Sequence, residues 1–231
     1  MSIFRDTLSC ALGQHGIEHT REQISLCEEY FKLVASANEH MNLTRITNEA
    51  EAALRHFADA ARLLEYFELP GGCRVIDIGS GAGFPGIPLK IFRPDIDLTL
   101  LDSLGKKTDF ISASAVSLGI NLTVLCARAE EAAKGDLRES FDIALSRAVA
   151  PLNILLELCV PFLRTGGTFA AWKGESFEAE LTDARGALAA LGCVVTGSHF
   201  IDPGAILLIE KQKPTPDVYP RRYAKIKSSP L

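Results

Sequence analysis

The stretch VIDIGSGAGFPGIP, residues 75–88, decides the fold of this 231-residue chain. An apolar run that ends in an acidic residue and turns through glycines is typical of a β-strand leading into a helix at a ligand-binding crevice. Counted from Gly81, the glycines match the dinucleotide fingerprint G-x-G-x-x-G. Counted from Asp77, they match D-x-G-x-G-x-G, which suits a different nucleoside-type cofactor. In both cases we predict that a ligand approaches the backbone at Gly79, Gly81 and Gly83.

Short apolar runs alternate with helical patterns on both sides of this stretch. The runs cover residues 73–78, 97–102, 122–127, 141–146 and 167–172, and the helical patterns cover residues 106–118, 152–163 and 177–191. This alternation predicts an α/β fold, a Rossmann-like and mostly parallel sheet with helices on both faces. After residue 191, two runs are joined by Asp202-Pro203-Gly204, which leaves no room for a crossover helix. They predict a terminal antiparallel hairpin.

Three parts are expected along the chain. They are an N-terminal helical extension (1–69), a Rossmann-like core (70–213) and a basic, Pro-rich C-terminal end (214–231), which is expected to be an arm or a partly ordered tail. In the extension, apolar residues recur every three or four positions, which predicts helices that pack on the core. The pattern breaks at 42–47, and Asn48 followed by Glu51 predicts the start of the next helix.

Composition and charge narrow the class of protein. No apolar run is long enough for a membrane span, and the start lacks a basic region followed by an apolar one, so we expect a cytoplasmic protein. The six cysteines are scattered without a C-x-x-C pair, and we expect no metal site. Residues 211–231 carry a net charge of +5, which leaves −10 on the rest. Such a basic end either binds a polyanion or keeps the chain soluble.

Two acidic residues bear on the cofactor. Asp102 ends the second predicted strand, where a carboxylate accepts hydrogen bonds from ribose hydroxyls in several nucleoside cofactors. Asp77 discriminates better, because a carboxylate would repel a pyrophosphate but suits the sulfonium and ammonium groups of S-adenosylmethionine. Together with the terminal hairpin, Asp77 favours S-adenosylmethionine. The alternative is an NAD-dependent oxidoreductase that uses Gly81, Gly83 and Gly86. In the preferred motif, which begins at Asp77, Gly86 needs no role in cofactor binding.

The absence of certain motifs limits which kind of atom can accept the methyl group. The predicted fourth strand is followed by SRAVAP (146–151), not by the N/D-P-P-Y/F turn that usually accompanies methylation of an exocyclic amine. Methylation of a pyrimidine carbon needs a cysteine nucleophile, and Cys159 lies in an apolar helix as a core residue would. N7 of guanine needs neither device, since its lone pair is already nucleophilic. Arg147 either holds a carboxylate or phosphate or is an ordinary surface arginine.

Several motifs go beyond a glycine-rich loop. They are MNLTRI (41–46), RHFADA (55–60), DIGSGAGFPGIPLKI (77–91), LLDSLGKK (100–107), ARAEE (127–131), SRAVAPL (146–152), WKG (172–174), YPRR (219–222) and a terminal SSPL. With these motifs the chain resembles the bacterial small-subunit rRNA guanine-N7 methyltransferases, the RsmG family, formerly called glucose-inhibited division protein B. The resemblance implies a monomer that uses S-adenosylmethionine to methylate a guanosine in the 530 loop of 16S rRNA, free or within the small ribosomal subunit. A catalytically silent rRNA-binding or assembly factor is the alternative outside enzymes.

The resemblance also implies roles for individual residues. Besides Asp77 and the glycines, the implied cofactor contacts are Gly79, Phe84, Asp102, Ser103, Leu104, Ala129, Glu130 and Arg147, with Arg147 also at the reaction centre. The implied or expected substrate contacts are Asn42, Arg45, His56, Asp59, Lys173, Arg221 and Arg222. Alternatives stay open for two of these positions and for Trp172 of the WKG motif. His56 could be a structural histidine, Asp59 could simply pair with Arg55 on the helix surface, and Trp172, which could stack on a base, is favoured as strand core.

Overall fold

The computed structural model describes residues 2–231, and its centre is a seven-stranded sheet with the order β3-β2-β1-β4-β5-β7-β6. The strands are β1 Arg74–Ile78, β2 Asp97–Asp102, β3 Thr123–Cys126, β4 Phe141–Arg147, β5 Leu163–Lys173, β6 Cys193–Ile201 and β7 Gly204–Lys211. Strands β1 to β5 are parallel, and β7 pairs antiparallel with both β5 and β6. The predicted Rossmann-like sheet with a terminal antiparallel hairpin is confirmed.

The helices cover both faces of this sheet and the N-terminal region. They are α1 Ile3–Gln14, α2 Arg21–Met41, α3 Glu49–Ala52, α4 Asp59–Ala61, α5 Leu63–Tyr66, α6 Gly86–Phe92, α7 Gly105–Ser117, α8 Ala129–Ala132, α9 Leu152–Cys159, α10 Phe177–Asp183, α11 Arg185–Leu191 and α12 Tyr223–Ser228. A π-helical segment, Ala53–Ala58, connects α3 to α4. Among residues 2–231, none of the helices combines the length and the apolar character that a membrane crossing needs.

The predicted element ends were accurate where a cap or a turn marks them. The helix predicted to start at Asn48 does so, because the side chain of Asn48 accepts a hydrogen bond from the backbone N–H of Glu51 at 3.1 Å. The helix predicted over 152–163 is shorter. It ends at Cys159 and continues as a 3-10 turn through Pro161, which has no N–H to donate to the preceding turn.

The N-terminal helices share one hydrophobic core with the sheet. Tyr30 of α2 is fully buried, and its hydroxyl donates to the carbonyl oxygen of Ala82 in the glycine loop at 2.6 Å. Its ring packs edge-on against Phe57 and Phe84, with centroids 6.5 and 5.8 Å away. The extension therefore packs on the core as predicted and supports the glycine loop from behind.

The C-terminal segment, residues 212–231, differs from the predicted arm. It lies on the body of the protein, and Ile226 of α12 is fully buried in the core beneath α9. Arg221 forms an ion pair with Glu157 of α9, whose side chain is 0% exposed. Composition indicated an arm or a partly ordered tail, and these buried contacts stabilise the segment in a defined position.

Candidate active site

The glycine loop between β1 and α6 has backbone angles at which a residue other than glycine would be strained. Gly79, Gly81 and Gly83 have φ angles of +71°, +60° and +80°, which residues with a Cβ atom rarely adopt. A Cβ on Gly81 would meet only a backbone oxygen at 3.9 Å, so the loop is open at that point. A Cβ on Gly83 would lie 2.6 Å from the Tyr30 hydroxyl. Gly81 thus permits close approach of a ligand, whereas Gly83 permits packing of α2.

Asp77 and Gly86 form a buried pair below this loop. Asp77 is fully buried, and its Oδ2 accepts a hydrogen bond from the Gly86 N–H at 2.8 Å. A Cβ on Gly86 would lie 2.5 Å from Leu100 Cδ2 and 2.8 Å from that carboxylate oxygen. Gly86 is therefore required by packing. Burial raises the pKa of Asp77 to about 7, and its Oδ1 has no hydrogen-bond partner among residues 2–231. The contact between Asp77 and a cationic methyl donor stays a prediction.

A cavity of about 310 Å³ lies at the carboxyl ends of β1, β2 and β4, and we call it the cofactor cavity. Its lining residues are Ile78, Gly79, Leu101, Asp102, Ser103, Leu104, Lys107, Ala127, Arg128, Ala129, Glu130, Ala148, Val149, Leu158 and Tyr223. Asp102 connects two of the loops, since its carboxylate accepts from the N–H groups of Gly81 and Leu104, both at 3.0 Å. Each carboxylate oxygen keeps a lone pair for a ribose hydroxyl. The glycine backbone, the carboxylates and the apolar walls fit a nucleoside such as that of S-adenosylmethionine.

The predicted cofactor residues divide into two groups. Gly79, Asp102, Ser103, Leu104, Ala129 and Glu130 line the cofactor cavity. Asp77, Gly81, Gly83 and Phe84 lie behind or beside its wall, and Arg147 lines a different cavity. Phe84 is 7% exposed, because its ring is stacked on His56 with a centroid distance of 4.4 Å. The structure thus places Phe84 in the aromatic core.

The sequence did not predict some of the wall residues as cofactor contacts, chiefly Lys107, Arg128, Val149, Leu158 and Tyr223. Val149 follows Ala148, whose φ of +58° lies in the left-handed region. Its side chain reaches the space beside Gly79, where a Cβ would lie 2.5 Å from Val149 Cγ2. The SRAVAP motif marked this loop. Nothing in the sequence placed Tyr223 there.

A second cavity, of about 390 Å³, adjoins the first and shares Ala148 with it. We call it the acceptor cavity; its lining residues are Ile46, Glu51, Arg55, Asp59, Arg147, Ala148, Trp172, Lys173, Gly174, Ile201, Asp202, Pro203 and Gly204. The predicted residues Arg147, Asp59 and Lys173 meet here. His56 is buried directly behind Arg147.

Arg147 is held by a chain of hydrogen bonds. Its Nη1 donates to the carbonyl oxygen of Arg55 at 2.7 Å and its Nη2 to Nδ1 of His56 at 2.8 Å. A guanidinium only donates, so Nδ1 accepts and the ring proton is on Nε2, 2.8 Å from the Thr44 hydroxyl oxygen. Burial and the Arg147 charge lower the pKa of His56 to about 3. His56 is thus neutral and fully engaged, which favours the structural role over direct substrate contact.

Asp59 is the most buried of the three acidic residues that line the acceptor cavity, the others being Glu51 and Asp202. It is half-buried, and its carboxylate has no hydrogen-bond donor among residues 2–231. Burial raises the pKa of Asp59 to about 6, although Arg147 and other cations favour the ionised form. No hydrogen-bonded pair forms with Arg55, whose guanidinium donates to the carbonyl of Asp202 across the cavity. The Asp59 carboxylate is therefore available to a ligand.

Three basic side chains are already paired with carboxylates. Nζ of Lys173 contacts Glu180 Oε2 at 2.7 Å and the Ala150 carbonyl at 2.8 Å. Lys211 is fully buried beside Glu139, at 2.6 Å, and Arg221 is paired with Glu157. Carboxylate partners thus hold both side chains, and the substrate contact of Arg221 stays a prediction. Asn42, Arg45 and Arg222 are exposed and lie outside both cavities.

Two residues have the core positions that were favoured for them. Trp172 is 4% exposed, and its Nε1 donates to the carbonyl oxygen of Asp59 at 3.0 Å. Cys159 is fully buried, and burial raises the pKa of its thiol far above the ordinary value. A buried neutral thiol is a poor nucleophile. Neither residue presents a reactive group to the acceptor cavity.

Comparisons with known proteins show the family of this chain. The family model described as "rRNA small subunit methyltransferase G" matches residues 23–204. Proteins named "Ribosomal RNA small subunit methyltransferase G" from Desulforamulus reducens and Lactobacillus delbrueckii subsp. bulgaricus are 42% and 40% identical to this chain. The alignments cover 94% and 99% of this chain, and 93% and 98% of the relatives. The resemblance predicted from the motifs is confirmed.

Solved structures support the fold. The chain is similar to a SAM-dependent methyltransferase from Aquifex aeolicus, with a TM-score of 0.55, 17% identity and coverage of 69% of this chain and 93% of that one. A ribosomal protein L11 methylase from Lactobacillus delbrueckii subsp. bulgaricus gives a TM-score of 0.54, at 18% identity, with coverage of 69% and 79%. On the family match and the relatives, the chain belongs to the rRNA small subunit methyltransferase G family and is an S-adenosylmethionine-dependent rRNA methyltransferase.

Proposed function

We propose that the enzyme transfers the methyl group to N7 of a guanosine in 16S rRNA, in the 530 loop by resemblance to its family. The observation that carries this proposal is the unpaired Asp59 carboxylate in a cavity that adjoins the cofactor cavity at Ala148. Guanine presents two neighbouring donors, N1–H and the N2 amino group, and a carboxylate can accept both. Adenine, cytosine and uracil lack this pair of donors.

The energetics of Asp59 agree with such a ligand. A half-buried carboxylate without a donor destabilises the folded protein, and the raised pKa of Asp59 reflects that penalty. Two N–H groups of a bound base would supply hydrogen bonds to this carboxylate. Because N7 lies on the edge of guanine away from N1 and N2, holding those groups leaves N7 free to react. Methylation at N7 also makes the purine cationic, and an adjacent carboxylate offsets this charge.

The other side chains position the base and the cofactor and need not take a proton. Bound S-adenosylmethionine supplies an electrophilic methyl group, and Asp102, Gly79 and the wall residues of the cofactor cavity would hold it. Neutral N7 carries no proton that a base must remove. This agrees with a neutral His56, whose ring nitrogens are both hydrogen-bonded, and with a buried Cys159. Arg147 lines the acceptor cavity beside the shared Ala148, so it is suited to orient the acceptor.

The substrate must bring an unstacked base to this cavity. We infer that a flipped or looped-out guanosine enters, with exposed cations such as Arg45 and Arg222 contacting the phosphate backbone. Binding then weakens as salt rises. We also infer that the enzyme acts in the cytoplasm as a monomer.

Chemical cleavage of rRNA tests the proposal directly. Small-subunit rRNA from cells with and without the gene would be treated with borohydride and aniline, which cleaves at N7-methylguanosine. We expect one cleavage in the 530 loop that disappears without the gene. Identical cleavage in both samples would refute N7 methylation and favour a silent assembly factor. In a calorimetric control, tight NAD binding without binding of S-adenosylhomocysteine would favour the oxidoreductase alternative.

A further inference from the structure

The C-terminal segment supplies one wall residue of the cofactor cavity. Tyr223, the first residue of α12, lines this cavity together with Arg128, Ala129 and Glu130. The guanidinium carbon of Arg128 lies 4.3 Å from the centroid of the Tyr223 ring, a cation–π contact. Nε of Arg128 also donates to Glu130 Oε1 at 3.0 Å. The tyrosine ring thus packs on the side of the cavity that is formed by the loop after β3.

Buried contacts hold this segment in place. The guanidinium of Arg221 makes a two-pronged contact with Glu157, at 2.8 Å to Oε1 and 2.6 Å to Oε2, and the Arg221 backbone N–H donates to Oε1 at 2.8 Å. Glu157 is fully buried in α9, and Ile226 is fully buried one turn beyond Tyr223. An ion pair with bidentate geometry and a buried carboxylate specifies one position for the chain. Tyr223 therefore reaches the cavity as part of a docked element.

We propose that residues 212–231 are part of the cofactor site. In this proposal the Tyr223 ring forms an apolar wall for the nucleoside part of S-adenosylmethionine, and docking of the segment and cofactor binding stabilise each other. Such coupling is reciprocal: a variant that loosens the segment weakens cofactor binding, and bound cofactor protects the segment. The inference rests on the cofactor assignment and is independent of which rRNA base is methylated.

Calorimetric titration of the full chain with S-adenosylhomocysteine tests the wall. We expect Tyr223→Ala to raise the Kd about 10-fold, the loss typical of removing one aromatic face from a base. Tyr223→Phe should stay within about twofold of wild type, since its ring keeps both the apolar wall and the face for Arg128. Lys225→Ala is the matched control, because this exposed side chain lies on the same helix outside the cavity.

The coupling has two tests of its own. Arg221→Gln should also raise the Kd, although Arg221 does not line the cofactor cavity. In wild type, saturating S-adenosylhomocysteine should slow tryptic cleavage after Arg222, Lys225 and Lys227, which are exposed, as followed by mass spectrometry. The proteolysis test uses the native chain, so it applies even if Tyr223→Ala fails to fold.

The outcomes are distinguishable. An unchanged Kd for Tyr223→Ala, or unchanged proteolysis in the presence of ligand, would overturn the inference alone. Unchanged Kd together with weaker binding to small ribosomal subunits would instead assign the segment to RNA. Wild-type protein that does not bind S-adenosylhomocysteine would overturn both the cofactor assignment and this inference.

Discussion

The two adjoining cavities are built differently. The cofactor cavity is made mostly of loops that follow β1, β2, β3 and β4, and its central carboxylate, Asp102, is hydrogen-bonded to two backbone N–H groups. The acceptor cavity draws its walls from the N-terminal helices, the ends of β4 and β5 and the β6–β7 turn. Its most buried carboxylate, Asp59, has no such donor among residues 2–231. The central carboxylate of the first cavity is hydrogen-bonded within the protein, whereas the Asp59 carboxylate of the second is available to a ligand.

The junction of the cavities carries strain. Ala148 lines both, and its φ of +58° is unusual for a residue with a Cβ atom. Strained backbone of this kind persists where the surrounding structure holds it, and it is concentrated at functional sites. Arg147, immediately before it, is held on the acceptor side by Arg55 and His56. The contrast between a cavity whose carboxylate is hydrogen-bonded and one whose carboxylate is not can be tested by substituting residues of one cavity at a time.

The largest effect is expected at Arg147. Arg147→Ala should reduce turnover about 10³-fold, as loss of a charged group at a reaction centre does, while the fold survives. Because Arg147 lines only the acceptor cavity, the Kd for S-adenosylhomocysteine should change by less than about threefold. Single-turnover methylation of small subunits and calorimetry measure the two quantities. Near-normal turnover would remove Arg147 from the reaction centre, and lost cofactor binding would erase the distinction between the cavities.

Asp59 is expected to have the next largest effect. Asp59→Asn should lower kcat/KM about 100-fold. The amide has only one acceptor oxygen and no negative charge, so it cannot accept both N–H groups of guanine as the carboxylate does. In wild type, kcat/KM should fall as the pH drops through about 6, where the carboxylate becomes protonated, and the variant should lack this limb. A variant with wild-type activity and an unchanged pH profile would show that Asp59 does not bind the base.

The same substitution should change stability in the opposite direction. Asp59 has a folded-state pKa raised from 3.8 to about 6, so the folded protein is penalised when the group is charged. Asp59→Asn should therefore unfold at a higher urea concentration than wild type above pH 6, and the difference should vanish below about pH 4. Equal urea midpoints at pH 8 would contradict the unpaired carboxylate.

A substitution at Gly86 tests how the packing below the cofactor cavity contributes to stability. Gly86→Ala should lower the free energy of unfolding by about 2 kcal/mol, because the new methyl group has no room between Leu100 and Asp77. Gly81→Ala is the comparison, with open space but a φ of +60°, and should cost about 1 kcal/mol. Urea denaturation measures both. If Gly86→Ala is as stable as wild type, its role in packing is wrong.

The smallest effect on turnover is expected at His56. His56→Leu should lower kcat about 10-fold, because Arg147 loses one of the acceptors that orient it. His56→Asn should recover much of the loss, since its side-chain oxygen is attached at the position of Nδ1. The kcat of wild type should show no titration near 6.5, because the pKa of His56 is lowered to about 3. Equal loss in both variants would indicate a role in packing alone.

The sequence predicted well what short stretches control. The glycine loop, the alternation of strands and helices, the terminal hairpin and Asp102 at the end of β2 were all predicted from local patterns. These patterns work because strand and turn geometry depends on neighbouring residues and because parallel strands bring their carboxyl ends to one edge. The rRNA substrate came from motifs that resemble a family, and no local pattern indicated it.

The sequence by itself determined the fold, the cofactor class and the list of charged residues with a possible role. Only the tertiary structure decided which of those charges are free. Arg221 and Glu157 are 64 positions apart and are paired, while Asp59 and Arg55 are neighbours on one helical stretch and are not. Pairing and desolvation depend on distances across the folded core, which neither composition nor spacing specifies. For the same reason a tyrosine from the end of the chain lines the cofactor cavity.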